Sequence, residues 1–193
     1  PVGGATPGAS ADLSAHLVRE VENLRRCLDA LGPERLEQVT SLLVRSRTVS
    51  VVGLRNGYAL ALHLREQLTQ GGDGVLLVPQ PGQTIAEEFA ERDARDVAVV
   101  FGFRRRPAGF GRMLAGIAAR GVHVVLIGDL SARRYAEFAD VWVECPIDSV
   151  SPLDSYASAM SLINVLAANA LAARTRETRT RIAGFDIVEV TLS

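Results

Sequence analysis

Three consecutive arginines follow an apolar segment in the middle of the chain. Arg104, Arg105 and Arg106 come directly after the run Val97–Phe103. Adjacent guanidinium groups repel one another unless water, carboxylates or an anionic ligand relieves the repulsion. Guanidinium groups also bind phosphate and carboxylate through paired hydrogen bonds. The run therefore indicates one of two features, an anion-binding loop or a solvated surface loop.

A second candidate loop joins an apolar segment to a helical pattern. It reads Gly53-Leu-Arg55-Asn56-Gly57-Tyr58. The glycines allow a tight strand-to-helix turn, and the free N–H groups at the start of a helix favour an anion. The spacing differs from GxGxxG and no acidic residue ends the next strand to hold a ribose, so a nucleotide site is only weakly supported. We expect Arg55 to face the same crevice as the arginine run.

A third loop, Asp148–Ser155, precedes the last predicted helix and supplies hydroxyl groups. Capping of that helix by Ser151 or Asp154 is the alternative role for these side chains. The candidate ligand-binding residues from the three loops are Arg55, Asn56, Gly57, Tyr58, Gly102, Arg104, Arg105, Arg106 and Ser151. They predict a cationic crevice that binds a small phosphate or carboxylate compound.

Five continuously apolar segments are separated by helical patterns. Such segments are typical of strands in a parallel sheet that is covered on both faces. They are Thr48–Gly53, Val75–Val78, Val97–Phe103, Val122–Ile127 and Val141–Cys145. The sequence therefore predicts an α/β fold, a three-layer α/β/α sandwich with a five-stranded parallel sheet. Ligands bind such sheets beyond the carboxyl ends of the strands, where the three candidate loops would lie.

Helices are predicted on both sides of the sheet region. Leucine and valine recur every three or four residues from Leu13 to Leu31, which predicts a helix with a narrow apolar stripe. Gly32 and Pro33 separate it from a second helix, Glu34–Arg45. A long helix, Ser155–Arg181, closes the domain, and polar residues within its apolar part argue against a membrane span.

The first and last helices carry more apolar surface than one sheet needs. We therefore expect at least a homodimer, with the last helix buried between the sheet and a second subunit. Arg174, Arg176, Arg179 and Arg181 follow the apolar part of that helix. We interpret them as a solvated helix end, where positive charge suits the helix dipole.

Composition and charge exclude several classes of protein. The 193 residues include 48% hydrophobic and 22% charged side chains, with a net charge of −1. These values exclude a disordered chain and give no electrostatic footprint for nucleic acid. All 21 basic residues are arginines. Without lysine, Schiff-base chemistry and the Walker-type phosphate loop are excluded.

The cysteines and histidines show no metal-ligand pattern. Cys27 and Cys145 form no CxxC motif, and we interpret them as buried, reduced thiols of a cytoplasmic protein. His16, His63 and His123 lack any ligand spacing. We therefore predict no cofactor, no metal site and no catalytic residue.

The order and spacing of several motifs resemble a known family. The motifs are Gly53-Leu-Arg-Asn-Gly-Tyr-Ala-Leu-Ala, Phe101-Gly-Phe-Arg-Arg, Gly121–Asp129, Phe138–Val143 and Asp154-Ser155. From about residue 28 to residue 174 the chain is similar to the sugar isomerase (SIS) domain of RpiR-type bacterial transcriptional regulators. The resemblance implies a flavodoxin-like fold and a bound phosphosugar or sugar acid.

The resemblance also implies a division of the chain and a partner domain. Residues 1–12 would be a flexible linker or tag remnant, 13–46 connector helices, 47–183 the SIS domain and 184–193 a C-terminal tail. A helix-turn-helix domain is expected upstream of Pro1, and DNA binding would belong to that domain alone. The SIS domain would form a dimer or tetramer and would make no membrane contact.

The candidate site departs from the family pattern at four positions. Family phosphate sites use a serine in the first loop and a Ser-x-Ser-Gly-x-Thr pattern in the second. In this sequence Gly57 replaces the serine of the first loop. In the second loop Gly102, Arg104 and Pro107 replace the two serines and the threonine. Either arginines have taken over anion binding, or the domain no longer binds the usual ligand.

Three functions remain open on the sequence. The first is a ligand-sensing, dimerising effector domain of a transcription regulator. The second is a phosphosugar isomerase, which needs a general base such as His63, Glu66 or Glu87, although these fit solvated helix residues better. The third is an oligomerisation module that binds no ligand.

Overall fold

The computed structural model describes the backbone of residues 12–191 and the side chains of residues 12–176. Its strands are β1 Thr48–Gly53, β2 Val75–Val78, β3 Asp96–Phe101, β4 His123–Gly128 and β5 Val141–Glu144. They form one parallel sheet in the order β2-β1-β3-β4-β5. The predicted five-stranded parallel sheet is confirmed.

Helices cover both faces of this sheet. They are α1 Leu13–Arg45, α2 Gly57–Thr69, α3 Ile85–Glu88, α4 Phe110–Ala118, a 3₁₀ helix Leu130–Phe138 and α5 Ala157–Thr191. Helices α1, α2 and α5 share one apolar core with the sheet, while α3, α4 and the 3₁₀ helix pack on the other face. The three-layer arrangement is therefore confirmed, and the single-turn helix α3 is an element that the apolar pattern did not predict.

The long helix α1 bends where the sequence predicted a break. Gly32 has a φ of +56°, a conformation that glycine adopts without a Cβ clash, and Pro33 follows it. At its start, the Asp12 side chain accepts hydrogen bonds from the amides of Ser14 and Ala15. Apart from Asp12, the predicted linker lies outside the described residues.

In the first half of α1, the helix face that packs against the domain differs from the predicted leucine stripe. The buried residues of α1 are Glu20, Asn23, Cys27, Leu31, Val39 and Leu43. Exposed on the same helix are Leu13, Leu17, Val18, Val21 and Leu28. The N-terminal half of α1 therefore packs on the domain through polar and thiol side chains and presents its apolar stripe outward.

Helix α5 continues beyond the predicted end at Arg181, as far as Thr191. Leu162, Ile163 and Leu166 are fully buried in the core that α5 shares with α1 and α2. These side chains are thus covered within the chain, as expected for the side of α5 that faces the sheet. Met160 and Leu171 of the same helix are exposed, and their contact with a second subunit stays a prediction. No helix in the described part of the chain is both long and apolar enough to span a bilayer.

Arg174, interpreted above as part of a solvated helix end, instead joins α5 to two other segments. Its Nη1 donates to the Gly71 carbonyl oxygen at 3.0 Å, and its Nη2 donates to the Leu43 carbonyl oxygen at 3.2 Å. The side chains of Arg179 and Arg181 lie outside the described residues. Arg174 therefore fixes α5 against the end of α1 and the loop after α2.

The two cysteines meet at the contact between α1 and the end of β5. Cys27 and Cys145 are both buried and unbridged, as predicted. A hydrogen bond with the Cys145 thiol, together with burial, raises the pKa of Cys27. Cys27 therefore stays protonated and serves as a small packing residue that holds α1 to the domain.

Candidate functional site

The strand order reverses direction between β1 and β3, which places the expected ligand crevice at the carboxyl ends of these two strands. Residues 54–56 lead from β1 into α2, and residues 102–109 lead from β3 into α4. Gly53 makes the first of these turns tight. A Cβ at Gly53 would collide with the Gly57 carbonyl oxygen and the Ala61 side chain. The start of α2 therefore lies directly on the end of β1.

Arg55 occupies an unusual backbone conformation in this turn. Its φ is +54°, in the left-handed region, which costs an L residue about 1 kcal/mol or more. Its guanidinium group is exposed and forms no ion pair with the other described residues. Backbone strain of this kind is concentrated at functional sites, and here it coincides with an unpaired positive charge.

The arginine run is neutralised by three aspartates from two neighbouring loops. Arg104 Nε lies 3.2 Å from Asp154 Oδ1 and 3.6 Å from Asp129 Oδ2. Arg104 Nη2 lies 3.5 Å from Asp148 Oδ1, and Arg105 Nε lies 3.7 Å from Asp154 Oδ2. Residues 104–106 thus form a charge-balanced cluster, whereas the sequence predicted a crevice with excess positive charge.

Arg106 is the buried member of this cluster. Its Nη1 donates to the Gly102 carbonyl oxygen at 2.7 Å and lies 3.4 Å from Asp129 Oδ1. Its Nη2 donates to the carbonyl oxygen and to the hydroxyl of Ser131, at 3.1 and 3.0 Å. Because these bonds saturate most of the guanidinium, Arg106 holds the loops after β3 and β4 together.

A narrow cleft lies between these loops and the start of α5. Its walls are Leu54, Asn56, Gly57, Phe101, Phe103, Arg105, Arg106, Pro107, Phe110 and Tyr156. The cleft encloses about 10 Å³, which is room for about one water molecule. Burial raises the pKa of Tyr156, against the effect of a hydrogen bond with Asn56, so the phenol stays protonated. A phosphosugar would fit only after these loops moved apart.

The structure brings six of the nine predicted site residues to this edge. Asn56, Gly57, Arg105 and Arg106 line the cleft, while Gly102 and Arg104 bond to the same cluster. The predicted free amides at the start of α2 are partly used. The amides of Gly57 and Tyr58 donate to the carbonyl oxygens of Leu54 and Arg55, both at 3.0 Å.

The remaining predicted residues stand apart from the cleft. Tyr58 is half exposed on the first turn of α2, and Arg55 has no partner in the described part of the chain. The Ser151 hydroxyl accepts a hydrogen bond from the Leu153 amide at 3.2 Å and donates to the Leu153 carbonyl oxygen at 3.3 Å. Ser151 therefore stabilises a local turn before α5.

Asp148 connects the edge of the sheet to α1. Its carboxylate lies 3.5 Å from Arg104 Nη2 and 3.7 Å from Arg26 Nη1. Its carbonyl oxygen accepts a 2.7 Å hydrogen bond from Asn23 Nδ2, and the Asn23 side chain is fully buried. Arg26 also lies 3.5 Å from Glu144 at the end of β5. A continuous chain of polar contacts thus runs from the candidate site to α1.

The acidic partners of the arginines were missed at the sequence level. Asp129 directly follows β4, while Asp148 and Asp154 lie between β5 and α5. Because the carboxyl ends of parallel strands share one edge, the rule that located the arginines also locates these aspartates. Asn23 and Arg26 had no comparable signal, because their role depends on how α1 packs against the domain.

In the described part of the chain, none of the three general-base candidates from the sequence contacts the arginine cluster. Glu66 pairs with Arg65 at 2.6 Å, and Glu87 accepts a 2.7 Å hydrogen bond from the Thr84 amide. His63 lies on α2, among the partly buried residues. Within the described residues, no three His, Cys, Asp or Glu side chains group closely enough to hold a metal ion.

Comparison with known families identifies the fold. The SIS domain family matches residues 42–169, most of the chain, and the chain belongs to this family. The matched region includes the sheet and both edge loops that follow β1 and β3. No curated protein sequence matches the chain significantly.

Solved structures share this fold at low sequence identity. The sugar isomerase domain of an RpiR transcription factor from Sphaerobacter thermophilus has a TM-score of 0.78 and 22% identity, covering 92% of this chain and 99% of that chain. The Vibrio vulnificus NanR protein complexed with ManNAc-6P has a TM-score of 0.64 and 12% identity, covering 95% and 71%. A Listeria monocytogenes protein, suggested to be a sugar-phosphate isomerase, has a TM-score of 0.67 and 14% identity, covering 91% and 94%. The same fold thus occurs in a regulator and in a suggested isomerase.

Proposed function

We propose that this chain is the ligand-sensing, dimerising effector domain of a transcription regulator. It binds a phosphosugar or a related small anion at the carboxyl edge of the sheet and controls DNA binding by a separate helix-turn-helix domain. The observation that carries the proposal is the bridge through Asp148, which joins Arg104 at the candidate site to Arg26 and Asn23 on α1. A sensor needs such a connection, whereas an isomerase does not.

The ligand must compete with the aspartates for the arginines. Arg104 and Asp148 are both about half exposed, and ion pairs of this kind contribute only about 0–1 kcal/mol. A good charge-assisted hydrogen bond to a bound phosphate contributes about 1.5–3 kcal/mol. A doubly charged phosphate can therefore displace the aspartates from Arg104, with Arg55 as a further contact that no described carboxylate occupies.

Displacement would release Asp148 from the site. Its carboxylate would then be left with Arg26 alone, and the narrow cleft would open as residues 102–109 move. Ligand binding and the position of α1 would change together, because the same carboxylate serves both. The proposed sensing function depends on this coupling between ligand binding and the position of α1.

The same cleft supports a second candidate, an oligomerisation module that binds no ligand. Room for about one water molecule is too little for a sugar ring. The two candidates differ in a single measurable property, which is whether any small anion stabilises the folded chain. A ligand that binds only the folded state raises the melting temperature.

The test is a thermal-shift panel of sugar phosphates and sugar acids at matched ionic strength. We expect at least one compound to raise the melting temperature, and Arg55→Ala or Arg104→Ala to abolish the rise. Arg55→Ala is the cleaner variant because Arg55 has no ion pair with the described residues to lose. Arg45→Ala is the matched control, since Arg45 is exposed at the end of α1 that leads into the amino edge of the sheet.

Three outcomes would reject the effector proposal. If no compound in a broad panel binds, the non-binding module is the better description. If Arg55→Ala and Arg104→Ala both respond like the parent chain, the compound binds elsewhere and the sheet edge is not the sensing site. If the chain interconverts an aldose phosphate and a ketose phosphate, it is an isomerase. A helix-turn-helix pattern in the reading frame upstream of Pro1 would support the effector function directly.

A further inference from the structure

A second cavity lies between α3 and α4, on the opposite face of the sheet from α1 and α5. It is an open groove of about 410 Å³, within the size range of small-molecule sites. Its lining residues are Leu54, Ile85, Ala86, Phe89, Pro107, Gly109, Phe110, Arg112, Met113, Gly116, Ile117 and Arg120. The proposed function does not involve α3 or the outer face of α4. Of the groove residues, only Leu54, Pro107 and Phe110 also line the cleft at the sheet edge.

The floor of the groove is apolar. Ile85 and Phe89 form one wall, and Met113 and Ile117 of α4 form the other. Gly116 lies in the last turns of α4, where glycine costs about 1 kcal/mol relative to alanine. A Cβ at Gly116 would meet no atom within 4 Å, so no close packing in the described structure requires glycine there. Because Gly116 has no side chain, this part of the groove stays open.

Two positive charges stand at the groove without carboxylate partners. Arg112 and Arg120 are exposed, and neither forms an ion pair with the other described residues. The acidic side chains of α3 are occupied elsewhere. Glu87 accepts a hydrogen bond from the Thr84 amide, and Glu88 accepts one from the Gln80 amide. This groove therefore keeps an excess of positive charge, unlike the arginine cluster at the sheet edge.

We propose that this groove binds a small amphipathic anion, an acyl or aryl group that carries one carboxylate or sulfonate. The apolar body would lie on Ile85, Phe89 and Ile117, and the anionic group would pair with Arg112 or Arg120. A sugar phosphate fits this groove poorly, because the apolar floor would leave its hydroxyl groups without hydrogen-bond partners. The site is thus distinct in chemistry from the one at the sheet edge.

The test uses 8-anilinonaphthalene-1-sulfonate as the probe, followed by fluorescence, with octanoate as the competitor. We expect saturable binding of one probe per chain, displacement by octanoate and no displacement by glucose 6-phosphate. Gly116→Leu, which fills the groove and raises helix propensity, should weaken binding by about tenfold or more. Arg112→Gln or Arg120→Gln should weaken it by a similar factor and identify the residue that holds the anionic group.

Two controls separate the groove from other surfaces. Leu130→Gln removes an exposed apolar side chain of the 3₁₀ helix, and Arg45→Gln removes an exposed guanidinium at the end of α1; both should leave probe affinity unchanged. The proposal is overturned if Gly116→Leu binds the probe like the parent chain, or if both arginine variants keep full affinity. It is equally overturned if Gly116→Leu lowers the oligomeric mass in light scattering, because the groove would then hold a second copy of the chain.

The outcome is independent of the effector proposal. A chain that binds the probe in the groove but no sugar phosphate supports this site and rejects the sensing function at the sheet edge. A chain that responds to a sugar phosphate through Arg55 but binds no probe gives the reverse result.

Discussion

Arg55 has a backbone conformation that is unfavourable for a residue with a side chain. Its φ of +54° suits glycine, yet arginine is present. We predict that Arg55→Gly stabilises the ligand-free chain by about 1 kcal/mol, because glycine removes the Cβ clash of the left-handed conformation. The same variant should lose the thermal shift with any anion that the parent chain binds. Urea unfolding with and without ligand measures both effects.

The comparison variant is Arg55→Ala, which removes the guanidinium but keeps a Cβ. It should lose the ligand response without the gain in stability, since alanine bears the same backbone strain. If both variants leave stability unchanged, the left-handed conformation carries no strain at this position and the functional interpretation of Arg55 weakens.

Asp96 anchors the opposite edge of the sheet, at the start of β3. Its carboxylate, almost fully buried, accepts hydrogen bonds from Arg47 Nε at 3.0 Å and Arg47 Nη2 at 2.5 Å, and from the Asp93 amide at 3.0 Å. Burial works to raise the pKa of Asp96, but the bonds from Arg47 and Asp93 outweigh it and lower the pKa. Asp96→Asn should therefore destabilise the chain, by about 2 kcal/mol at neutral pH.

The pH dependence of this loss follows from the sign of the pKa shift. Because the folded pKa lies below the unfolded value of about 3.9, the contribution of Asp96 is complete above that pH. It is lost as the pH falls through the lower folded value. The difference in unfolding free energy between parent and Asp96→Asn should thus be constant from about pH 5 to 7 and shrink below about pH 4. A constant difference down to pH 3 would contradict this account.

At the residue scale the sequence predicted which loops meet at one edge of the sheet but not how the charges of their side chains are balanced. The edge loops were located because parallel strands end at one side of the sheet. Whether Arg104 is free or paired depends on the side chains of Asp129 and Asp154, which arrive from other strands. Arg55 could be placed in the turn, but its positive φ has no signature in a non-glycine residue.

At the scale of elements, apolar periodicity predicted α1 correctly as a helix and gave the wrong packing face for its first half. The pattern assumes that the apolar side of a helix faces its own core. In this chain Asn23 and Cys27 face the domain, because Asn23 bonds to the Asp148 carbonyl oxygen and Cys27 contacts Cys145. The first half of α1 therefore faces the domain with the side that contacts the residues after β5, and its apolar stripe faces outward.

The link between α1 and the site gives a prediction at this scale. Asp148→Asn removes the charge that joins Arg26 to Arg104 and leaves the carbonyl oxygen that Asn23 binds. Because both ion pairs are about half exposed, we expect a stability loss below about 1 kcal/mol. Ligand-induced changes in amide hydrogen exchange along α1 should disappear, while ligand binding itself persists.

Asp29→Asn is the matched control for this measurement. Asp29 is exposed on the same helix and has no ion pair with the other described residues. Its substitution should leave the ligand-induced exchange pattern of α1 intact. If Asp148→Asn retains that pattern as well, the coupling between the site and α1 runs through other contacts, such as the thiol contact of Cys27.

At the scale of the whole molecule, the fold was predictable because the strand segments are mostly apolar and all of them except Val75–Val78 are followed by a helical pattern. These two signals require a parallel sheet between two helical layers, and the structure has that arrangement. Assembly is harder to predict, since it depends on which apolar side chains the folded chain leaves uncovered. Among the side chains that the structure describes, those of residues 12–176, they lie mainly on the first half of α1.

The stripe on α1 leads to the prediction about assembly. Leu13, Leu17 and Val21 are between 48% and 76% exposed, and Val150 lines a shallow groove together with Leu17 and Val21. A patch of this kind on an outward-facing helix is typical of a surface that pairs with a second copy. We predict a homodimer at micromolar concentration, held by α1 against α1, with a light-scattering mass of about twice 20.7 kDa.

Leu17→Arg should convert this dimer into a monomer, because a charge would be buried without a partner at the centre of the contact. The matched control is Leu130→Arg: Leu130 is 58% exposed, close to the 63% of Leu17, but lies on the 3₁₀ helix across the sheet from α1. That variant should keep the dimer mass. A parent chain that remains at 20.7 kDa at micromolar concentration would contradict the prediction, and a dimeric Leu17→Arg would place the contact elsewhere.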